Sequence, residues 1–376
     1  MKRSAAWISC LLLAAALPAA AQTPEPAKPL LPALQLMSGV TLKVNALGQF
    51  RYTAVDGERD SASSRNDTTS FRVQTARVKF TGDLPKDFRY TLQLAFERPT
   101  STTTQNSALY DVMLTYAPRT WLNLSGGQFA VPVSAENGVP TDSMDLADRY
   151  YAAGRILNPA TNHDIGVMAH GRLLGKRLSY YTGIFNGRGA NTTDNNNNNG
   201  HLYSARVEGA PLRWKTAGRD SEVLVGVGGM WERNHGDASL MRTADLTGTV
   251  FTEPYDRTVR SYDAALKVGP AALKAEYLCA TLRGRRGHDP LVRAEGGYLQ
   301  GSWRLLSGKI EPLLRYQTYD PDTRVRDSKD ARWTTLGLNY FVNGQTSRLL
   351  ANYTFKRERG NAYDNDEFVL QYQLNF

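Results

Sequence analysis

The chain has 376 residues, 45 basic and 36 acidic, for a formal charge of +9, a pI near 9.4 and a mean hydropathy of −0.44. A chain this long does not fit one small sandwich, and the lack of a late apolar run of about 18 residues excludes a helical inner-membrane protein. Cys10 and Cys279 are its two cysteines, so a disulfide scaffold is excluded as well.

In chain order, Lys2 and Arg3 precede an apolar run from Ala5 to Leu17 and then Pro18-Ala19-Ala20-Ala21-Gln22. A basic n-region, an h-region too short to span a bilayer and an Ala-x-Ala site predict a signal peptide over 1–21, cut after Ala21. Removing Lys2 and Arg3 leaves 43 basic residues against 36 acidic, a balance of +7, with Cys279 the remaining cysteine. A basic surplus suits nucleic acid, an anionic surface or an anionic solute, and secretion argues against nucleic acid. Residues 22–39 are Pro-rich and aperiodic, and read as an extended periplasmic lead-in.

From Thr41 the period becomes two. Leu42, Val44, Ala46, Gly48, Phe50 and Tyr52 alternate with Lys43, Asn45, Leu47, Gln49 and Arg51. Phe368, Leu370, Tyr372, Leu374 and Phe376 alternate with Glu367, Val369, Gln371, Gln373 and Asn375 at the other end. Between them the same pattern predicts strands near 70–81, 88–98, 108–117, 121–129, 163–172, 178–186, 202–210, 222–231, 258–268, 272–281, 293–305, 310–319, 331–341 and 347–357. That makes sixteen segments of about ten residues, the length that crosses a bilayer at a tilt. Short connections rich in turn residues, such as Gly269-Pro270-Ala271 and Asn343-Gly344-Gln345, alternate with long polar ones, such as 53–69, 187–201 and 232–257.

In hydrocarbon every peptide group must find a partner within the protein, and strands achieve that only by closing. The predicted fold is therefore all-β: a transmembrane antiparallel β-barrel of about sixteen strands over 40–376, with both termini periplasmic because the count is even. Side chains alone do not fill so wide a barrel. The longest connection, 130–162, is expected to fold inward as a constriction loop, with a short helix over Met144–Ala153. Near Gln74–Ala76 the apolar phase slips from Phe71/Val73 to Ala76/Val78/Phe80, which predicts a β-bulge.

The alternation also assigns sides. Lys43, Arg51, Arg72, Arg77, Lys79, Arg89, Arg206, Lys267, Lys274, Arg304, Arg315, Arg348 and Lys356 fall opposite the apolar face, and Arg149 and Arg155 lie in the long loop. The same rule puts Glu97, Asp111, Asp164, Glu208, Asp263, Glu276, Glu311 and Glu367 on the water side, so the thirteen strand cations outnumber eight carboxylates. Basic rings favour anions, and arginine's fork suits phosphate and carboxylate. For any single residue, cross-strand pairing that merely solvates a wet interior is the competing role. Trp121, Trp231, Trp303, Tyr90, Tyr116, Tyr262 and Tyr353 fit interfacial girdles. No HExxH, CxxC or GxSxG motif is present, Gly171–Arg177 lacks the Ser/Thr of a P-loop, and the five histidines lack metal-ligand spacing. No catalytic residue, metal or cofactor is expected.

Tyr110-Asp111-Val112, Leu124-Ser125-Gly126-Gly127-Gln128-Phe129, Val131-Pro132-Val133, Asp148-Arg149 and His163-Asp164-Ile165-Gly166-Val167 follow in an order that resembles the phosphate-selective porin O and P family. Phe71–Val78 resembles that family's arginine-bearing early strand, and Gly183–Gly187 also fits. The resemblance covers most of 40–376 and implies a sixteen-stranded homotrimeric outer-membrane porin with a basic lumen. Members often carry lysine after the Gln/Arg-Phe pair entering the constriction loop; here the residue is Ala130, so a central phosphate-gripping lysine is not implied. The leading expectation is passive diffusion of small anionic solutes, with phosphate or polyphosphate among them. The alternatives are a non-selective porin, an outer-membrane barrel enzyme and a secreted soluble all-β binding protein.

Overall fold

The computed structural model describes residues 34–56, 59–60, 64–65, 68–97, 108–157, 163–187, 189–191, 200–234, 254–287, 291–326, 329–359 and 365–376. The expected signal peptide and most of the lead-in lie outside these residues. Sixteen strands form one ring: β1 (Val40–Val55), β2 (Thr68–Leu84), β3 (Phe88–Ala95), β4 (Leu109–Arg119), β5 (Leu122–Ala130), β6 (His163–Leu173), β7 (Leu178–Phe185) and β8 (Leu202–Thr216), then β9 (Arg219–Asn234), β10 (Tyr255–Val268), β11 (Ala271–Gly284), β12 (Val292–Trp303), β13 (Ile310–Asp320), β14 (Ala331–Asn343), β15 (Ser347–Glu358) and β16 (Glu367–Asn375). Each pairs antiparallel with its sequence neighbours, and β16 pairs with β1 from Glu367↔Val55 to Asn375↔Leu47. Closure leaves no open sheet edge, the condition hydrocarbon imposes.

Alternation sorts the side chains as the pattern requires. Phe50, Val112, Leu114, Val167, Val227, Leu299 and Leu336 are exposed on the outer wall, while Gln49, Arg51, Ser125, Arg206, Gln300 and Gln371 are buried inside. No helix among the described residues is long and apolar enough to cross a membrane. Turns of a few residues (85–87, 120–121, 174–177, 217–218, 269–270, 304–309, 344–346) gather at one end and the long connections at the other.

Three local features depart from plain alternation. Gln49 pairs with Thr75 and Phe50 with Val73, so Gln74 is the extra residue of a bulge, where the apolar phase slips. Strands expected to stop at 210 and restart at 222 instead run to Thr216 and from Arg219. A register shift between Gly209 and Leu212, beside Pro211, hides their continuity; Ala217 and Gly218, both at positive φ, make the turn. Leu34–Met37, the end of the lead-in, folds back on β1 with Leu34 opposite Leu42.

The long connection after β5 enters the lumen. It carries α1 (Ala135–Gly138), a 3-10 turn (Thr141–Ser143) and α2 (Tyr151–Ile156). The helix expected over Met144–Ala153 is thus displaced toward the C-terminal end: Met144 and Tyr150 are extended, because the residues between them reach out to the wall. Tyr150, Ala152, Ala153 and Ile156 are fully buried against Val259, Leu278, Leu282 and Val292. Burying Ile156 alone stabilises the inward position by about 1.5–3 kcal/mol.

Candidate pore constriction

The inner wall is shaped to receive this loop. A Cβ on Gly228 would collide with the Val133 carbonyl, one on Gly296 with Ala152, and one on Gly337 with Leu146. Each glycine sits at a lumen phase of its strand, where any side chain would push the loop toward the axis.

Polar wall residues then hold the loop in place. Arg51 donates to both Asp148 carboxylate oxygens at 2.8 and 3.0 Å and to the Ala147 carbonyl at 2.7 Å. Asp145 accepts from Lys274 Nζ and from Gln300 Nε2, both at 2.6 Å. Burial alone would raise the Asp145 pKa, but Lys274, those hydrogen bonds and Arg315 outweigh it and hold the carboxyl below its ordinary value. Arg348 and Gln373 each donate to the Asp142 carbonyl at 2.9 Å. Arg315 donates to the Asp148 carbonyl at 3.2 Å and to Gln300 at 2.8 Å, and lies 4.0 Å from Glu136. Tyr150 donates to Glu276 at 3.2 Å; burial and then the Glu276 and Glu136 carboxylates push its phenol well up, so it stays a donor. Tyr151 packs on Trp333 at 4.3 Å and its N–H donates to Gln317.

The other sequence-selected cations occupy varied settings. Arg77 pairs with Glu97 at 2.6 Å, donates to Thr141 and lies 3.8 Å over the Tyr110 ring. Arg206 forms a fork with Asp263 at 2.6 and 3.0 Å and also meets Glu208. Arg304 meets Glu311 at 3.2 Å, Lys356 meets Glu367 at 2.8 Å and Arg89 lies 3.7 Å from Asp83. Arg149 donates to the carbonyls of Glu136 and Val139, staying within the loop, and Arg155 stacks on Tyr151. Arg72 sits opposite Arg51 across the β1–β2 pair, Lys79 opposite Asn45 and Gln93, Lys267 opposite Glu222, and Lys43 opposite Thr81. Most of these cations, then, meet carboxylates or loop carbonyls.

The wall facing the loop from β4 to β7 has a lighter polar lining. Thr115 and Ser125 hydroxyls are 2.8 Å apart, Ser125 is 3.0 Å from His170 Nε2, and His170 stacks on Tyr181. Between loop and wall lies a cavity of about 470 Å³ that runs from Glu136, Asp145 and Asp148 to the 174–177 turn. Seven cations (Arg172, Lys176, Arg177, Arg206, Arg213, Lys274, Arg315) and five carboxylates (Glu136, Asp145, Asp148, Glu208, Asp263) line it.

A closed sixteen-stranded ring with its longest loop folded into a charged lumen has relatives. The family model for phosphate-selective porin O and P matches residues 44–376. The chain belongs to that family. It is an outer-membrane porin, a channel rather than an enzyme. Among solved structures, the anion-selective porin from Comamonas acidovorans superposes with a TM-score of 0.64 at 11% identity, over 90% of this chain and 100% of that one. The outer membrane channel DcaP of Acinetobacter baumannii gives 0.61 at 14% identity, over 92% and 100%. In-vitro folded OmpT of Vibrio cholerae, in its trimer form, gives 0.61 at 13% identity, over 90% and 100%. These likenesses establish the shared fold. Among curated protein sequences nothing matches the chain.

Two features of the porin lumen escaped the sequence reading. Arg172, Lys176 and Arg177 line the cavity; Arg172 shares the phase of His170, so strict parity would have found it. Buried Arg257, paired with Glu232 at 2.7 Å and donating to the Ile156 carbonyl, fell inside the connection expected over 232–257.

Proposed function

We propose that this porin passes small anions, phosphate among them, through the gap between the loop and the β6–β11 wall. One observation carries the reading: Arg172, Lys176 and Arg177 line the lumen cavity, and no carboxylate pairs with them among the described residues. The five carboxylates of the same cavity are engaged, Asp145 by Lys274, Asp148 by Arg51, Asp263 with Glu208 by Arg206, and Glu136 by Arg315 at 4.0 Å. The field left over is positive, and wet basic rings of this kind favour anions. We place the short turns and both termini in the periplasm, the long loops outside, and three copies in the assembly.

A specific observation favours general anion preference over tight phosphate binding. The constriction arginines Arg51, Arg315 and Arg348 use their donors on loop carbonyls and carboxylates, and Ala130 offers no cation at the loop entrance. Reversal potentials in a potassium chloride gradient, followed by phosphate titration, test both parts. Chloride preference with only millimolar phosphate block is expected. Potassium preference would overturn the anion reading, and micromolar block would overturn the general one.

A further inference from the structure

Apolar side chains face the lumen in two settings. Val259, Leu278, Leu282 and Val292 are covered by α2. Leu224 of β9 is not covered. It is opposite Ala265, which is opposite Lys274, whose Nζ meets Asp145 of the inward loop, so Leu224 points into the lumen. It is 39% exposed, and every other exposed large apolar residue described on the sixteen strands stands on the outward phase. Its surface is therefore still available for burial by something in the lumen.

The surroundings of Leu224 extend this patch. Ala265 beside it, with Val139 and Met144 from the loop, lines the same cavity of about 470 Å³. The neighbouring lumen positions on β9 are Gly226 and Glu222. A Cβ on Gly226 would collide with Arg206 and Asp263, and Glu222 is opposite Lys267 and 3.4 Å from Arg213. The basic turn abuts the patch as well. The Ala210 N–H donates to the Arg177 carbonyl at 2.8 Å, and β8, which carries Ala210, pairs with β9 through Gly209↔Val225, so only β8 separates Arg177 from Leu224. A cavity with an apolar side and a few placed charges suits an organic ligand better than a bare ion. Chloride and phosphate have no hydrocarbon to lay on Leu224; a carboxylate with an apolar body does.

We infer that this cavity is a transit subsite for organic monocarboxylates with an apolar body. The carboxylate sits among Arg172, Lys176 and Arg177, and the body lies on Leu224, Ala265 and Met144. The inference deepens the anion reading above and rests on it. Benzoate and acetate, both ionised at pH 7, serve as probes of equal charge. Each is titrated against the chloride current of single wild-type channels in a lipid bilayer, and the half-blocking concentrations are compared. Benzoate blocks at about tenfold lower concentration than acetate, the effect of taking roughly 50 Å² of ring out of water. L224N brings the two close to equality, and L224A leaves about threefold. R172Q/K176Q/R177Q weakens both probes and keeps their ratio, because charge acts on the shared carboxylate and Leu224 on the ring. Equal block by benzoate and acetate in the wild type, with chloride still preferred over potassium, overturns this inference alone. Potassium preference overturns it together with the anion reading. An unchanged ratio in an L224N channel that retains heat-modifiable gel mobility also overturns it, and the wild-type comparison decides if that variant does not fold.

Discussion

Arg172, Lys176 and Arg177 can be neutralised together as glutamines, which keeps length and hydrogen bonding while removing three charges. A cation roughly 7 Å from a passing monovalent anion contributes about 0.6 kcal/mol in water, and a Debye length of about 10 Å at 0.1 M salt brings that near 0.3 kcal/mol. Three such groups sum to about 1 kcal/mol, or about fivefold in local anion concentration. The triple variant should therefore shift the reversal potential in a tenfold potassium chloride gradient toward the potassium side. Single-channel conductance in low salt should fall more than in 1 M salt, where screening removes the field. The turn lies away from the loop latches, so the folded, heat-modifiable form should persist. An unchanged reversal potential in low salt would show that these groups do not set ion preference, and the field argument would fail.

Gly228→Val should drive the Val133 carbonyl off the wall, raising open-channel conductance variance and destabilising the barrel by about 1–3 kcal/mol in urea unfolding; wild-type conductance would mean that the loop is not seated there. Arg51→Gln removes the fork to Asp148, whose side chain is half exposed, so the stability loss should be about 1 kcal/mol, but the freed loop should flicker in single-channel records. Asp145 has a depressed pKa, so its contribution to loop attachment is present above its unfolded value of about 3.9 and is lost only as pH falls through the lower folded value. Conductance should hold steady from pH 7 to about 4 and change below that, and Asp145→Asn should show the acid behaviour at neutral pH; a wild-type transition near pH 6 would exclude this group as its source.

Much of the architecture is legible because a membrane leaves so little choice. Phe368, Leu370, Tyr372 and Leu374 declare one lipid face by falling at every second position, and the slip at Gln74 marks a bulge by its phase alone. Pro211 conceals the run from β8 into its turn, since a bulge scrambles the very signal used to find strands. The constriction is less readable. Arg51, Arg206 and Arg315 can be placed on the water side, but whether a guanidinium faces solute or a loop carbonyl depends on the depth of a segment with no period of its own. Most of the segment expected as a helix over Met144–Ala153 is extended instead, because Asp142, Asp145 and Asp148 are fixed points from which the wall residues suspend the chain. The seats for that chain, Gly228, Gly296 and Gly337, are visible in the sequence only as weak spots in strands.

The ring is sealed where β16 meets β1: Ala46 and Phe376 bond N–H to carbonyl in both directions, across more than three hundred intervening residues. Every other seam joins neighbours along the chain and can zip locally, whereas this one has to wait for both flanks of the sheet to curl round and find each other. Until then two raw edges face the surroundings, each able to template a foreign strand. Sealing of this seam should therefore come last in assembly, and shielding of those edges until then should govern how much of the porin matures.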